Sequence, residues 1–126
     1  RLIMGRYISG DINRKLWFAV QSSNAADRFG VIGYEPAYLE YQFEQDDLEK
    51  VQEELRVIEN LIGEDNLSKL DKFFEEVNGY NDQIMMDHNV LDIWNKNKED
   101  YADYLLGKEI EKCITETGQC YFNAEI

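Results

Sequence analysis

The chain has 126 residues, which suffices for one folded domain, and 44% of them are hydrophobic, which excludes an intrinsically disordered protein. Its 26 acidic and 13 basic side chains give a net charge of −13 at pH 7. A protein of that charge is repelled by phosphate, so we expect no direct binding to nucleic acid or to anionic membranes.

The first third of the chain is rich in aromatic and β-branched residues and is predicted to form strands. Residues 6–9 and 15–21 flank a group of turn-forming residues and indicate a β-hairpin. The polar segment 22–24 offers a cap for a short helix that ends at Gly30. Apolar and polar side chains then alternate over 38–43, which predicts a third strand.

The remainder of the chain is dominated by apolar residues at helical spacing. This spacing predicts helical segments, in chain order, over 48–62, 67–77, 84–86, 90–94 and 99–117. Alternation returns over residues 120–126, which are expected to rejoin the sheet as a strand.

The order of these elements predicts a single α+β domain over residues 1–126. Its core is a small antiparallel β-sheet, made of the N-terminal hairpin, the third strand and the C-terminal strand, and several α-helices cover it. Met4 is expected to be the native start, with residues 1–3 foreign to the protein.

The acidic residues are concentrated in the helical part of the chain. Residues 1–38 hold five basic and three acidic side chains, a net charge of +2, and residues 39–126 hold the remaining eight and 23, a net charge of −15. Carboxylates spread over rigid helices can imitate the phosphates of DNA and occupy a basic groove on another protein. The residues expected to bind such a partner are Glu53, Glu54, Glu75, Glu76, Asp100 and Asp103. The competing interpretation is that the acids cap helices, pair with nearby lysines and arginines, and keep the protein soluble.

The basic residues of the N-terminal third lie among aromatic residues and suggest a second function. Cationic groups beside exposed rings suit a small anionic ligand that carries a ring, such as a nucleotide. The candidate ligand-binding residues are Arg6, Arg14, Lys15 and Trp17. The simpler interpretation is that the rings form the core of the sheet, while the basic residues, including Arg28, balance acids on the helices.

No catalytic signature accompanies these features. The sequence lacks a Gly-x-Ser-x-Gly elbow, a phosphate-binding glycine loop and an HExxH motif, so we expect no enzyme, no catalytic residues and no cofactor. Asp82, Asp87, His88 and Asn89 are close in sequence but do not follow a calcium-loop spacing, and no metal site is predicted. An enzyme with an unrecognised carboxylate site is the third interpretation, because 26 acidic residues always permit some pair.

Cysteine content and hydropathy bear on location. Two cysteines, no apolar run long enough to span a membrane and no secretory signal lead us to expect a cytoplasmic protein. Cys113 and Cys120 are close enough in sequence to meet across a turn, and the sequence leaves open whether they pair. It also leaves open whether the protein forms homo-oligomers.

Two segments, GRYISGDINRKLWFAVQSSNAADRFG and FFEEVNGYND, are similar to short uncharacterised acidic proteins of phage and viral genomes. The resemblance brings no functional residues, but it implies a biological context. Small acidic phage proteins without enzyme motifs often inhibit host machinery, either by binding a host protein or by sequestering a nucleotide. The resemblance therefore implies a location in the cytoplasm of the host cell.

We accordingly expect a non-enzymatic acidic interaction protein that binds a basic protein partner. In the context of the resemblance, it would be a phage-encoded, DNA-mimicking inhibitor of a host defence or nucleic-acid-handling complex. The alternative is a protein that binds or sequesters a nucleotide through its N-terminal basic and aromatic residues. The two hypotheses differ in the part of the chain that makes contact: the helical carboxylates or the N-terminal arginines.

Overall fold

The computed structural model describes residues 6–17, 20–33, 38–77 and 79–125. The expected native start, Met4, lies outside the described residues. Those residues form a four-stranded antiparallel sheet and four α-helices, the last of which packs against the sheet, so the predicted α+β fold is confirmed.

The sheet places the C-terminal strand in its interior. Its strands are β1 (Arg6–Gly10), β2 (Arg14–Leu16), β3 (Tyr38–Glu44) and β4 (Gln119–Glu125). The order across the sheet is β2-β1-β4-β3, and every neighbouring pair is antiparallel. β1 and β2 form the predicted hairpin, but β2 is shorter than expected, and residues 18 and 19 of the predicted strand lie outside the described residues.

Side chains of the strands alternate between a buried and an open face. In β3, Leu39, Tyr41 and Phe43 are buried in the core, whereas Gln42 and Glu44 are exposed. The alternation in the sequence therefore reflects a sheet that is covered on one side, as predicted.

The helices follow the apolar spacing of the sequence. Their bounds are α1 (Leu48–Ile62), α2 (Glu64–Glu76), α3 (Asp82–Asp87) and α4 (Leu91–Thr117), and short 3-10 helices cover Ala25–Phe29 and Gln45–Asp47. Glycines end α1 and α4, at Gly63 and at the left-handed Gly118.

One prediction about the helices is wrong. The segments 90–94 and 99–117 are predicted to be separate, but they belong to one unbroken helix, α4. The break is predicted because the intervening residues are polar and include asparagine, which favours turns. Asn97 is instead buried, and its Nδ2 donates a hydrogen bond to the carbonyl of Ile93 at 3.0 Å. Tertiary packing therefore overrides the local preference.

α4 is the central element of the fold, because it contacts β3, β4 and the other three α-helices. At its middle, Gly107 lies against Phe29 and Leu55. A Cβ at position 107 would lie 2.8 Å from Cδ2 of Leu55 and also overlap the ring of Phe29. The missing side chain therefore allows α1 and the 3-10 helix Ala25–Phe29 to pack closely on α4.

The length of α4 does not make it a membrane helix. It has 27 residues, and charged side chains recur along it from Asp92 to Glu116. Within the described ranges, no helix is both long enough and apolar enough to cross a membrane.

Candidate functional site

Arg28 contacts three carboxylates that come from two helices. It lies in the 3-10 helix Ala25–Phe29. Its Nε donates a hydrogen bond to Oε2 of Glu54 on α1 at 2.7 Å. Its Nη1 donates to Oδ1 of Asp100 and to Oδ2 of Asp103 on α4, both at 3.0 Å. The guanidinium therefore joins the 3-10 helix to α1 and α4.

Asp103 is the buried member of this group, with 5% of its surface exposed. Its second oxygen, Oδ1, accepts a hydrogen bond from Nε2 of Gln21 at 3.0 Å, so both carboxylate oxygens have donors. Burial raises the pKa of Asp103, although the hydrogen bonds from Gln21 and Arg28 oppose that change. Burial alone would lower the pKa of Arg28, but its bonds to Glu54, Asp100 and Asp103 raise it above the ordinary value. Arg28 therefore stays charged.

We refer to Arg28, Glu54, Asp100 and Asp103 as the Arg28 cluster. Three carboxylates share one guanidinium, which leaves the cluster with a net charge of −2. The side chains of Glu54 and Asp100 remain 18% and 31% exposed. The cluster therefore presents carboxylates to solvent in positions that are fixed by charge-assisted hydrogen bonds.

An exposed apolar pair lies on α1 beside this cluster. Val57 and Leu61 are one helical turn apart and are 43% and 58% exposed. Glu53 and Glu54 precede Val57 by one turn, so their carboxylates flank it on the helix surface. We refer to Glu53, Val57 and Leu61 as the α1 face. This face places two apolar side chains next to carboxylates.

Four of the six residues predicted to bind a partner therefore lie together. Glu53 belongs to the α1 face, and the other three belong to the Arg28 cluster. Of these, Asp103 is buried, so it holds Arg28 in place and is not available to a partner. Glu75 and Glu76 are exposed at the end of α2, where neither forms an ion pair with another described residue.

The residues predicted to bind a nucleotide are not brought together. Nη1 of Arg14 contacts Oε2 of Glu109 on α4 at 2.5 Å, so its guanidinium already has a carboxylate partner. Lys15 extends from the opposite side of β2 and is exposed. The side chain of Arg6 lies outside the described part of the structure.

Trp17 belongs to a group of packed aromatic rings. Its ring centroid lies 5.2 Å from that of Trp94 and 5.6 Å from that of Phe74. Tyr80 and Tyr101 are further neighbours, at 6.2 and 6.4 Å. The ring therefore contributes to packing between the end of β2 and the helices, which supports the interpretation of these rings as core.

The simpler interpretation of the sequence, that Arg28 balances acids on the helices, agrees with these contacts, but the sequence does not identify the acids, because they lie 26 to 75 positions away in the chain. The exposed apolar pair is absent from the sequence-based predictions. The apolar pair does give a signal. Val57 and Leu61 lie four residues apart and outside the stripe of buried residues on α1, which marks them as a separate exposed pair.

The other chemical groups considered from the sequence do not form a site in the described residues. No group of three or more His, Cys, Asp or Glu side chains among them is arranged to hold a metal ion. Cys113 and Cys120 are free thiols. Sγ of Cys113 donates a hydrogen bond to the carbonyl of Gln119 at 3.2 Å, and burial raises the pKa of the Cys120 thiol.

No family model, curated protein or solved structure matches this chain. The function must therefore be argued from the geometry of the surface itself. That geometry consists of carboxylates fixed by Arg28, with Val57 and Leu61 exposed beside them.

Proposed function

We propose that this protein is a non-enzymatic interaction protein that binds a basic protein partner through the α1 face and the Arg28 cluster. One observation carries the proposal: Val57 and Leu61 are exposed one turn apart, and Glu53 and Glu54 lie one turn before Val57. Stable interfaces combine apolar anchors at their centre with polar and charged groups around them. The α1 face has this arrangement.

The charge of the surface supports a basic partner. The chain carries −13 overall, and the Arg28 cluster keeps a net negative charge after its ion pairs are formed. Such a surface attracts a basic protein and repels an acidic one. Exposed carboxylates at the rim should mainly accelerate association, while buried apolar anchors should determine how slowly the complex dissociates.

The ion pairs of the Arg28 cluster also favour binding. Ordering flexible side chains at an interface costs free energy, about 0.5–1.5 kcal/mol for each long side chain. Glu54 and Asp100 are already held by Arg28 at 2.7 and 3.0 Å. Part of the free-energy cost of ordering these two side chains is therefore met before a partner binds.

Inhibition follows if the partner is a nucleic-acid-handling protein. A basic groove that normally contacts phosphates is complementary to the carboxylates of this surface. Occupation of the groove by the α1 face would exclude nucleic acid, so the proposed effect is competitive inhibition. We propose further that the protein is encoded by a phage and that its target is a host defence or nucleic-acid-handling complex.

Photo-cross-linking tests where the partner binds. A photoreactive amino acid replaces Asn60, an exposed residue of α1 next to Val57, and in the matched control it replaces Glu116, exposed near the end of α4. Glu116 lies 13 residues beyond Asp103, or about 20 Å along the helix. In extract of the cells that naturally make the protein, the probe at position 60 should capture a basic protein that the probe at 116 does not.

The purified partner is then titrated with the wild-type protein and with V57S/L61S. We expect the double variant to bind at least about tenfold more weakly, because it removes the apolar anchors. Capture of the partner at both positions, or equal affinity of the two proteins, would rule out the α1 face as the binding surface.

A further inference from the structure

A groove of about 440 Å³ lies between α2 and the turn that joins α3 to α4. Its polar walls include Lys69 and Lys72 of α2 and His88 of the turn. The buried side chains of Phe73 and Val90 line its inner surface. This volume lies within the range of small-molecule sites.

The groove is basic in a strongly acidic protein. Lys69 and Lys72 are three residues apart, so their side chains extend from the same face of α2. Neither forms an ion pair with another residue in the described part of the chain. Glu76 also lines the groove, so the two lysines outnumber the carboxylate among the described lining residues.

The turn that carries His88 is held by its own backbone. Asn89 adopts the left-handed conformation, with φ of 60°, which asparagine tolerates better than most residues. Its N–H donates to the carbonyl of Met86 at 3.0 Å, and the N–H of Val90 donates to that of Met85 at 2.9 Å. These two backbone donors are therefore occupied and are not available to a ligand in the groove.

Two further features suit the groove to an anion with an apolar body. The ring of His88 lies edge-on to Phe73, with centroids 5.3 Å apart and planes at 78°. α4 begins at Leu91, directly after the groove residue Val90, so the positive end of its dipole lies close to the groove. No side chain caps this end of the helix. Asp92, in the first turn of α4, offsets part of that field.

We propose that this groove binds a small phosphorylated molecule of mononucleotide size. Lys69 and Lys72 bind the phosphate, His88 donates a hydrogen bond to it, and Phe73 and Val90 contact the body of the molecule. A ligand with a phosphate dianion matches the charge of two ammonium groups better than a ligand with a single carboxylate does. The proposal is independent of the partner-binding surface, and it assigns nucleotide binding to α2 and the α3–α4 turn instead of the N-terminal arginines.

The probes are adenosine monophosphate, inorganic phosphate and adenosine, titrated near physiological ionic strength into the full chain. Binding is followed by calorimetry and by NMR of the backbone amides. We expect adenosine monophosphate to bind more tightly than phosphate, and adenosine to bind least. The amide shifts should be confined to residues 69–76 and 88–92.

Charge variants test the assignment. K69Q/K72Q should weaken binding of adenosine monophosphate at least about tenfold, because it removes two charge-assisted contacts. The matched control K108Q/K112Q removes two lysines that begin about 27 Å beyond Val90 along α4, and should change the affinity less than about twofold. E76Q removes a like charge and should tighten binding by about threefold.

Several outcomes would overturn the proposal. These are no saturable binding of adenosine monophosphate, amide shifts centred on other segments, or an equal loss of affinity in K69Q/K72Q and K108Q/K112Q. Equal affinity for phosphate and adenosine monophosphate would overturn the roles of Phe73 and Val90. Circular dichroism shows whether K69Q/K72Q folds. If it does not fold, the amide shifts of the wild-type protein and the affinity of E76Q test the proposal instead. Unchanged or weaker binding of adenosine monophosphate by E76Q would then overturn it.

Discussion

Nη1 of Arg28 lies 3.0 Å from Oδ2 of Asp103, a residue 75 positions later in the chain. This contact joins the 3-10 helix Ala25–Phe29 to the central helix of the fold. The aspartate is buried and depends on the guanidinium to compensate its charge. The same guanidinium fixes Glu54 and Asp100 on the surface, so one residue supports both the packing and the proposed binding surface.

Arg28→Met tests the contribution of the cluster to stability. The substitution keeps an apolar side chain of similar length but leaves Asp103 buried without a cation, and Glu54 and Asp100 unpaired. We expect the free energy of unfolding to fall by about 3 kcal/mol, the cost of an uncompensated buried charge. Urea denaturation followed by tryptophan fluorescence measures the change.

The matched control for this variant is Arg56→Met, because Arg56 is an exposed arginine of α1. It should change the free energy of unfolding by less than about 0.5 kcal/mol. Adding Asp103→Leu to the Arg28→Met variant should recover part of the loss, since the buried charge is then removed. Similar losses at positions 28 and 56 would show that the cluster does not stabilise the fold.

Gly107→Ala tests the close packing at the centre of α4. A Cβ there would overlap the ring of Phe29 and lie 2.8 Å from Leu55. Overpacking costs about 1–3 kcal/mol, whereas alanine favours a helix over glycine by about 1 kcal/mol. We expect a net destabilisation of about 1–2 kcal/mol in urea denaturation.

Gly79→Ala is the control for that variant, since nothing lies within 4 Å of a Cβ placed at position 79. It should leave the free energy of unfolding nearly unchanged. A Gly107→Ala protein as stable as the wild type would contradict the tight contact between α4, Phe29 and Leu55.

Three hydrogen-bonded tyrosines should make the free energy of unfolding fall at alkaline pH. Tyr41, Tyr101 and Tyr104 donate hydrogen bonds to the carboxylates of Asp27, Asp71 and Glu59, respectively. Burial, followed by these carboxylates, raises the pKa of Tyr104 to about 12 and raises the pKa of Tyr41 and Tyr101 above the ordinary value.

The direction of the pH dependence follows from proton binding. Above about pH 10 the unfolded tyrosines lose their protons while the folded ones keep them, so the folded state binds more protons. The free energy of unfolding should therefore be unaffected by these groups below pH 10 and should fall as the pH rises toward their folded pKa. Urea denaturation at pH 8 to 11, compared between wild type and Tyr104→Phe, should show a shallower fall in the variant; identical slopes would contradict the role of Tyr104.

Much of the fold could be predicted because its signals are local. Alternation over residues 38–43 and 120–126 predicts strands with one buried face, and apolar spacing over 48–62 predicts α1. The continuity of α4 could not be predicted, because the polar run that contains Asn97 favours a break when considered alone, whereas Asn97 is buried in the folded protein. The sequence shows what each segment favours on its own, and packing decides the exceptions.

The candidate site was predictable only in part, for the same reason. Exposure of Glu53 follows from its position off the apolar stripe of α1. Convergence of Glu54, Asp100 and Asp103 on Arg28 does not, because it brings together residues 26 to 75 positions apart. The basic groove was missed on similar grounds, since Lys69 and His88 lie on separate elements.

The central claim is that Val57 and Leu61 anchor a basic partner next to the carboxylates of Glu53 and Glu54. The most direct measurement is the affinity of V57S/L61S for the purified partner that photo-cross-linking identifies. The free energy of unfolding of the variant is measured alongside. The account predicts at least about tenfold weaker binding, because the anchors are lost, with stability lowered by no more than about 2 kcal/mol, because each side chain is only about half buried. Binding as tight as that of the wild type, in a variant that remains folded, would contradict it.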